Sequence, residues 1–217
     1  MRLSGVAAAV FPTEPERSVY NNALLDRDLG AADRATAVDA MEAAYAAGGV
    51  GRYAAWVHES DGGMRGELSA RGYTLEESTR AMGMPLDDDA APPRREVDLG
   101  PADWREYLEY LRVLGLPAGL LSGADPTAFH VLVARSGGEN VASAIAFDHD
   151  RDCGVFNMST LEAARRGGLG TALTARHVRD AAARGCSTAS LQSTEIAERL
   201  YATAGFRDLG RFLEYVP

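Results

Sequence analysis

The sequence predicts an α/β fold in which helices flank a mixed β-sheet. Three observations carry this prediction. Two short segments within residues 141–161 have the composition of strands joined by a tight polar turn. A helix with a buried stripe at helical spacing follows them, and a further strand, helix and strand complete the chain. The 217 residues, of which 46% are hydrophobic, suffice for one large domain or two small ones.

The front of the chain is predicted to contain strands and helices of its own. Two strands joined by a turn lie within residues 8–21, and a helix covers about Asp33–Ala47. A strand over Tyr53–Glu59 and a helix around Met64–Arg71 follow. This order of elements is the same as that predicted for the back of the chain.

A proline-bearing segment separates the two parts. Residues 85–93 are acidic and lack periodicity, which is typical of a linker. We therefore expect a front part over residues 1–84 and a back part over residues 94–217.

The back part begins with a predicted helix over Trp104–Leu114. The apolar side chains available for burial on this helix are Trp104, Leu108, Leu111 and Val113, while Tyr107 and Tyr110 are placed to flank a cleft. The later elements, in order, are strand Val141–Phe147, a turn at residues 149–152, strand Cys153–Leu161, a helix to about Arg184, strand Ser187–Gln192, helix Thr194–Ala204 and the last strands within Phe206–Val216.

The most informative motif is a glycine-rich turn, residues 165–171, which opens a helix. Arg165, Arg166 and Gly167 precede the helix and offer no capping oxygen, so its first backbone N–H groups are left free to bind an anion. The glycines allow a phosphate to approach closely, and the arginines add positive charge. The motif lacks the Gly-Lys-Ser/Thr ending of a Walker loop and the spacing of a dinucleotide fingerprint. Taken alone, it is equally compatible with a turn that merely starts a helix.

The paired motifs Arg-x-x-Gly-x-Gly and Tyr-x-x-x-Gly-Phe, in this order of strands and helices, resemble the GNAT N-acetyltransferase superfamily. The resemblance covers about residues 94–217. It implies the GNAT fold, with a central mixed sheet in which two parallel strands splay apart and bind acetyl-CoA between them. In this chain those strands are Cys153–Leu161 and Ser187–Gln192.

The resemblance also implies which residues bind acetyl-CoA. The pyrophosphate is expected at the glycine-rich turn, on Arg165, Arg166, Gly167, Gly168, Leu169, Gly170 and Thr171. Thr160 and Leu161 are expected to offer backbone groups to the pantetheine arm. Thr194 stands where many members carry Asn, and a hydroxyl there still serves the same arm.

For the reaction, Tyr201 matches the general acid of the family. A neutral tyrosine hydroxyl suits protonation of a leaving thiolate, because its ordinary pKa is about 10; plain helix packing is the alternative. The general base stays open. Asp152 is a candidate, although a turn role is favoured, and Asn157 and Ser159 share a strand face on which a water that relays the proton is expected.

The front part resembles a duplicated, truncated copy of the back part that has lost its chemistry. In register, Leu29, Ala32 and Arg34 stand at the positions of Arg165, Gly168 and Gly170, and Leu68 replaces Tyr201. Asp28 and Asp33 bring negative charge to the corresponding helix start. We therefore expect residues 1–84 to be structural or to cover a substrate.

Composition limits the partners. The formal net charge of −9 makes nucleic acid a poor partner and favours a cationic amine. All 22 basic residues are arginine, which, with the alanine and glycine content, indicates a bacterial genome of high G+C content.

The location is expected to be cytoplasmic. The apolar stretch Val6–Phe11 is too short for a signal sequence, and no segment approaches a membrane span. Cys153 and Cys186 are expected to be free thiols. No metal is expected, and the chain is expected to be a monomer or a homodimer.

Three functions are weighed. The leading hypothesis is an acetyl-CoA-dependent N-acetyltransferase that acts on a primary amine of a small molecule or peptide. The alternative is a non-catalytic acyl-CoA-binding regulatory protein, because no glutamate lies on Val155–Leu161 and the front part lacks the residues assigned to the chemistry. A nucleotide-binding protein is third, but it lacks a phosphate-binding lysine and a magnesium-binding carboxylate motif.

Overall fold

The computed structural model of the chain describes residues 1–86, 97–115, 118–121 and 123–217. Residues 87–93 of the predicted linker lie outside these described residues. The chain divides into two compact units, Met1–Arg80 with Gly210–Pro217 (unit 1) and Ala81–Leu209 (unit 2). These bounds differ from the predicted segmentation, because two long strands near residues 80 and 210 each contribute residues to both units.

Unit 1 contains four complete strands, two helices and parts of two more strands. Its elements are β1 (Arg2–Leu3), β2 (Val6–Ala8), β3 (Asn22–Leu25), α1 (Ala31–Ala47), β4 (Ala54–His58), α2 (Gly62–Ala70), the first residues of β5 (Thr74–Pro85) and most of β11 (Arg207–Val216). The strand order runs β1-β2-β3-β4-β11, with β3 and β4 parallel and β11 antiparallel to β4.

The core of unit 1 lies between its sheet and the two helices. On α1 the buried side chains are Ala37, Val38, Met41 and Tyr45, which recur at helical spacing. On α2 they are Met64 and Leu68. The Asp61 carboxylate caps α2 by accepting a hydrogen bond from the backbone amide of Met64 at 2.9 Å.

The strand pair predicted within residues 8–21 is wrong in its bounds. Only Val6–Ala8 and Asn22–Leu25 are strands, and an irregular loop joins them. The buried side chain of Asn21 holds this loop, because it accepts from the amide of Phe11 at 2.7 Å and donates to the carbonyls of Glu14 and Arg17. These hydrogen bonds replace the ladder that the apolar pattern suggested.

Unit 2 is a mixed sheet with helices on both faces. Its further elements are β6 (Leu99–Pro101), α3 (Trp104–Val113), β7 (Phe129–Ser136), β8 (Glu139–His149), β9 (Asp152–Thr160), α4 (Leu169–Ala183), β10 (Thr188–Ser193) and α5 (Glu195–Thr203), with short 3-10 turns at Ala118–Leu120, Pro126–Ala128 and Glu162–Ala164. The strand order is β5-β10-β9-β8-β7-β6. The α/β prediction and its splayed parallel strands are thereby confirmed, while β6 and β7 are additions, and Phe206–Val216 holds one strand where more were predicted.

The helices of unit 2 cover opposite faces of the sheet. On α3, Tyr107, Leu108 and Leu111 pack with Val131 and Ile145. On the other face, Leu173 of α4 packs with Leu132 and Ala144. Val113 was predicted to be available for burial but is exposed, since the buried stripe of α3 is formed by its tyrosines and leucines instead.

Strands β9 and β10 pair over only three residues each. Asp152, Cys153 and Gly154 lie opposite Thr188, Ala189 and Ser190 in parallel register. Beyond this point β9 continues to Thr160 and β10 to Ser193, but these two strands do not pair with each other there. A gap therefore opens between the two strands from Val155 and Leu191 onward.

A bulge in β9 lies beside this gap. The pairing of β8 with β9 shifts between Ser143 and Ile145, so Asn157 and Met158 together oppose Ala144. Asn157 has a φ of 48°, which is uncommon for a residue other than glycine.

In the described part of the chain, no helix combines the length and the apolar character needed to cross a membrane.

Candidate active site

The start of α4 has the open geometry that the glycine-rich turn predicts. Gly168 is the residue before the helix, has a φ of 80° and makes no side-chain cap. The first bond of the helix runs from the amide of Ala172 to the carbonyl of Gly168, so the helix itself leaves the amides of Leu169, Gly170 and Thr171 unpaired. A Cβ on Gly168 would meet nothing within 4 Å, so there is room for a ligand.

The glycines of this turn do not all serve the same purpose. A Cβ on Gly170 would lie 2.7 Å from Cδ1 of Leu200, so this glycine allows α5 to pack closely on α4. A Cβ on Gly167 would lie 3.3 Å from the carbonyl oxygen of Ala164. Gly168 is thus the position whose backbone the turn itself constrains, because an L side chain rarely adopts its left-handed conformation.

Two exposed arginines adjoin these amides along the chain. The Nε of Arg165 donates to the carbonyl of Thr160 at 3.3 Å, which ties the turn to the end of β9. Arg166 is exposed and has a φ of 62°. Both positive charges and the helix dipole favour an anion here.

Tyr201 of α5 belongs to the buried cluster that contains Val155 and Leu191, the residues at which β9 and β10 part. Its ring packs edge-on against Phe206 at 6.0 Å between centroids. None of the described residues hydrogen-bonds its hydroxyl, and burial raises its pKa above the usual value of 10.0. The side chain is therefore neutral at physiological pH and able to donate a proton.

The end of β9 supplies the other predicted residues. Ser159 shares a face with Ser143, and their hydroxyls lie 3.2 Å apart. The amide of Leu161 donates to the carbonyl of Val141 at 2.9 Å, and its carbonyl accepts from Ala164. Leu161 therefore has its N–H committed to the sheet. The Thr160 carbonyl already accepts from Arg165 and the Leu161 carbonyl from Ala164, so each carbonyl keeps one lone pair for a ligand.

Thr194 precedes α5 and is exposed. It makes no side-chain capping bond, so its hydroxyl is not consumed by the helix. Because β10 ends at Ser193, this hydroxyl lies at the end of the strand that borders the gap.

Asp152, the candidate base, is engaged by the other parallel strand. Its carboxylate accepts from the hydroxyl of Thr188 at 2.6 Å and from that of Ser190 at 2.5 Å. These bonds link the paired ends of β9 and β10. The turn role that the sequence favoured is wrong, because Asp152 is the first residue of β9.

Of the two tyrosines predicted to flank a cleft, Tyr107 packs against the sheet, whereas Tyr110 lines an open cavity of about 680 Å³. Tyr107 and Tyr110 are buried, and among the described residues none meets hydrogen-bond geometry with either hydroxyl. Burial raises the pKa of Tyr107 to about 12, against a smaller opposing effect of the nearby Asn157. Sequence reasoning missed the buried hydroxyl of Ser143, although a serine within the apolar run Val141–Phe147 was an available signal.

Cys153 and Cys186 are both buried free thiols, as predicted. Burial, with a further contribution from Asp148, raises the pKa of Cys153 to about 12, so this thiol is a poor nucleophile. Among the described residues, no group of three or more His, Cys, Asp or Glu side chains is arranged to hold a metal ion.

The corresponding place in unit 1 is filled by a side chain. Gly30 precedes α1 with an ordinary φ of −63°, and Asp33 lies in the first turn. The guanidinium of Arg34 donates to the carbonyl of Leu29 at 2.6 Å and packs against Gly63, where a Cβ would approach it to 2.8 Å. Leu68 is fully buried in the core.

Comparison with known proteins supports the interpretation of unit 2. Residues 127–208 match the family model described as an acetyltransferase (GNAT) domain. Among curated proteins, no sequence gives a significant match.

Solved structures resemble the chain over most of its length. A GCN5-related N-acetyltransferase from Kribbella flavida has a TM-score of 0.75 at 18% identity, with 100% of this chain and 88% of that chain covered. One from Sphaerobacter thermophilus has a TM-score of 0.70 at 15% identity, with 98% and 76% covered. A tandem GNAT protein from the clavulanic acid biosynthesis pathway has a TM-score of 0.66 at 14% identity, with 90% and 74% covered.

At these identities the structural likeness concerns the fold. It agrees with the splayed strands and the uncapped helix of unit 2. Residues 127–208 are therefore similar in sequence to the acetyltransferase (GNAT) domain, the family that the sequence analysis names, and the solved structures share the fold.

Proposed function

We propose that the protein is an acetyl-CoA-dependent N-acetyltransferase that acts on a primary amine of a small molecule or peptide. One observation carries this proposal. The uncapped start of α4 and the neutral Tyr201 both belong to the region where β9 and β10 part. The GNAT domain match over residues 127–208 supports the reaction class.

The residues present fit acetyl-CoA. The three unpaired amides at the start of α4 and the two exposed arginines suit a pyrophosphate, and the open space at Gly168 lets it approach the backbone. The exposed hydroxyl of Thr194 at the end of β10 suits an amide of the pantetheine arm.

Bound acetyl-CoA supplies the thioester whose carbonyl carbon the amine attacks. The chain contributes the gap beyond Gly154 and Ser190, which orients the arm. Tyr201 holds a proton on its hydroxyl for the departing sulfur, since burial keeps that hydroxyl neutral. The negative net charge favours the approach of a cationic amine.

The test is release of free thiol from acetyl-CoA across a panel of primary amines, for the wild type and for Tyr201→Phe. We expect turnover with at least one amine and a fall in kcat of about 100-fold in the variant, because general acid catalysis contributes at least this much. Acetyl-CoA should raise the melting temperature of both proteins equally. Equal kcat values would remove Tyr201 from the mechanism.

The second candidate is a non-catalytic acyl-CoA-binding regulatory protein. It is favoured by the hydrogen bonds of Asp152 with Thr188 and Ser190, since no carboxylate lies on Val155–Leu161 to replace it as a base. It predicts thermal stabilisation by acetyl-CoA without turnover of any amine. Turnover that depends on Tyr201 excludes it.

A further inference from the structure

Four aromatic side chains lie on one side of the unit 2 sheet, the side that α3 partly covers. We call this surface the aromatic face and define it by Trp104, Phe129, Phe147 and Phe156. Phe129 and Phe147 lie opposite each other on β7 and β8, with 5.8 Å between their ring centroids. Trp104, the first residue of α3, stacks on Phe129 at 5.2 Å. Rings at these distances attract each other, so α3, β7 and β8 share one continuous aromatic surface.

Phe156 extends the aromatic face to β9. It is paired with Ile145, which packs against α3, and it therefore lies on the same side of the sheet. Its ring folds back over Gly154, because a Cβ at that residue would lie 2.7 Å from Cε2 of Phe156. Gly154 is paired with Phe147. The Phe156 ring thus occupies the place of a side chain directly across from Phe147, and the two rings adjoin.

These two adjoining rings are exposed. Phe147 is 37% exposed and Phe156 is 49% exposed, whereas Ile145 between them in the face is buried. Apolar side chains exposed one at a time are ordinary on a protein surface, but neighbouring ones form a patch that marks a binding surface. Glycine at residue 154 gives the Phe156 ring its position, since any larger residue would displace it.

The Phe156 ring lies at the closed end of the gap between β9 and β10. Gly154, beneath the ring, is the last residue of β9 that pairs with β10. Val155, the next residue, faces the other side of the sheet and packs in the cluster that contains Val178 of α4 and Tyr201 of α5. The helices α4 and α5 therefore cover that side of the gap, and the aromatic face lies on the side from which a second substrate can approach.

Acetyl-CoA bound as proposed would bring its acyl group to this end of the gap. Its pyrophosphate is assigned to the start of α4, which follows the far end of β9 at Thr160. From there the pantetheine arm runs along the gap towards Val155, over about 17 Å of strand. The thioester then lies near Phe156, and the amine that attacks it lies against the aromatic face.

We propose that the aromatic face binds the body of the acceptor, and that the acceptor is a primary amine joined to an aromatic ring by a short aliphatic chain. This assignment rests on the proposed acetyl transfer and names its substrate class. A flat ring packs on Phe156 and Phe147 in the offset or edge-on arrangements that aromatic pairs favour. The short chain then carries the amino group over the gap. The negative faces of the protein rings also attract a positively charged amine as it approaches.

The test compares 2-phenylethylamine with n-butylamine in the thiol-release assay. We expect the wild-type kcat/KM to be at least about tenfold higher for 2-phenylethylamine, because even one extra methylene in a hydrophobic site is worth about tenfold. Phe156→Ala should lower kcat/KM for 2-phenylethylamine about tenfold and that for n-butylamine far less, so the preference disappears. Gly154→Ala keeps the Phe156 ring but displaces it, and should reduce the preference in the same direction.

The matched control is Val113→Ala. Val113 is 68% exposed at the end of α3 and lies outside the aromatic face, so this variant should keep the wild-type preference. Equal kcat/KM values for the two amines in the wild type, or a preference that survives both Phe156→Ala and Gly154→Ala, would overturn the assignment while the proposed function stands.

A protein that acetylates no amine would overturn the proposed function, and binding then decides the role of the aromatic face. Calorimetric titration of 2-phenylethylamine into the CoA-bound protein would support the face if Phe156→Ala weakened binding about tenfold, and would overturn it if both proteins bound equally. Sedimentation of both proteins tests the other occupant, a second copy of the chain. A wild-type dimer that Phe156→Ala dissociates would show an interface between copies instead of an acceptor site.

Discussion

The helices α1 and α4 occupy the same place in the two units, but they begin in opposite ways. The start of α4 is open, because Gly168 adopts a left-handed conformation and leaves three amides unpaired in front of an open space. The start of α1 carries a negative charge from Asp33, and the guanidinium of Arg34 lies beside it. An anion is favoured at the first and opposed by the acidic residue at the second.

The helices α2 and α5, which come next in the two units, also differ at their starts and in one core position. α2 and α5 are both nine residues long, and each follows a strand that is parallel to the one before. Asp61 caps α2 from its own side chain, whereas Thr194 leaves its hydroxyl unused at α5. Leu68 fills the core where α5 carries Tyr201. The comparison teaches that this arrangement of strands and helices forms without the glycine-rich turn or the tyrosine, which agrees with the roles in acetyl transfer that we propose for them.

The largest effect is expected from the buried histidine of α4. His177 stands in register with Met41 of α1, both are fully buried, and burial lowers the pKa of His177 to about 4. Because the folded pKa lies below the unfolded value of about 6.5, stability is complete above pH 6.5 and is lost as the pH falls toward 4. The loss from this residue is about 3 kcal/mol at pH 4.

His177→Met copies the residue of α1 and should remove this acid sensitivity. Near neutral pH the variant loses the bond of Nε2 to the Ala144 carbonyl, but it also removes the buried Nδ1 atom, which has no partner among the described residues. We expect similar melting temperatures at pH 7.5 and a higher one for the variant at pH 4.5, measured by calorimetry. If the melting temperatures of both proteins fell equally between pH 7.5 and pH 4.5, the acid sensitivity would not come from His177.

The second effect concerns charge at the α4 start. Arg165→Glu with Arg166→Glu should raise the Kd for acetyl-CoA about 100-fold, because two attractive charges near the pyrophosphate become repulsive. Calorimetric titration at two salt concentrations measures it, and the wild-type affinity should weaken with salt. The control is Arg179→Glu, an exposed residue about 15 Å further along α4. If Arg179→Glu raised the Kd equally, the effect would come from the overall charge of the protein and not from a site at the glycine-rich turn.

Much of this comparison was predictable from the sequence, since it depends on local signals. The missing cap at residues 165–167, the glycines and the tyrosine of α5 are all visible along the chain, and the structure has both helices there. What local patterns cannot show are contacts between distant residues. The loop held by Asn21, the packing of Leu200 on Gly170 and the burial of Tyr107 each depend on a partner far away in sequence.

A third effect separates the two glycines that precede these helices. Gly168→Ala should cost about 1–2 kcal/mol in stability, because an L residue is strained at a φ of 80°. It should also weaken acetyl-CoA binding about tenfold, since the turn shifts. Gly30→Ala should change stability by no more than about 0.5 kcal/mol, because its φ of −63° suits alanine and its Cβ would only touch Asp33. Denaturant titration and acetyl-CoA binding of both variants measure this, and equal costs would contradict the contrast.

The smallest effect tests the closed start of α1. Arg34→Ala removes the hydrogen bond to the Leu29 carbonyl and the packing on Gly63, so we expect a loss of about 1 kcal/mol in the free energy of unfolding. Acetyl-CoA affinity and kcat should stay at wild-type values, because Arg34 serves the fold of unit 1. Arg34→Gly copies Gly170 of α4 and should not create a second acetyl-CoA site, since Asp33 remains in the first turn. A binding stoichiometry that rises from one to two in Arg34→Gly would show that a single side chain closes this site, and that unit 1 has kept more of the ancestral site than its acidic residues indicate.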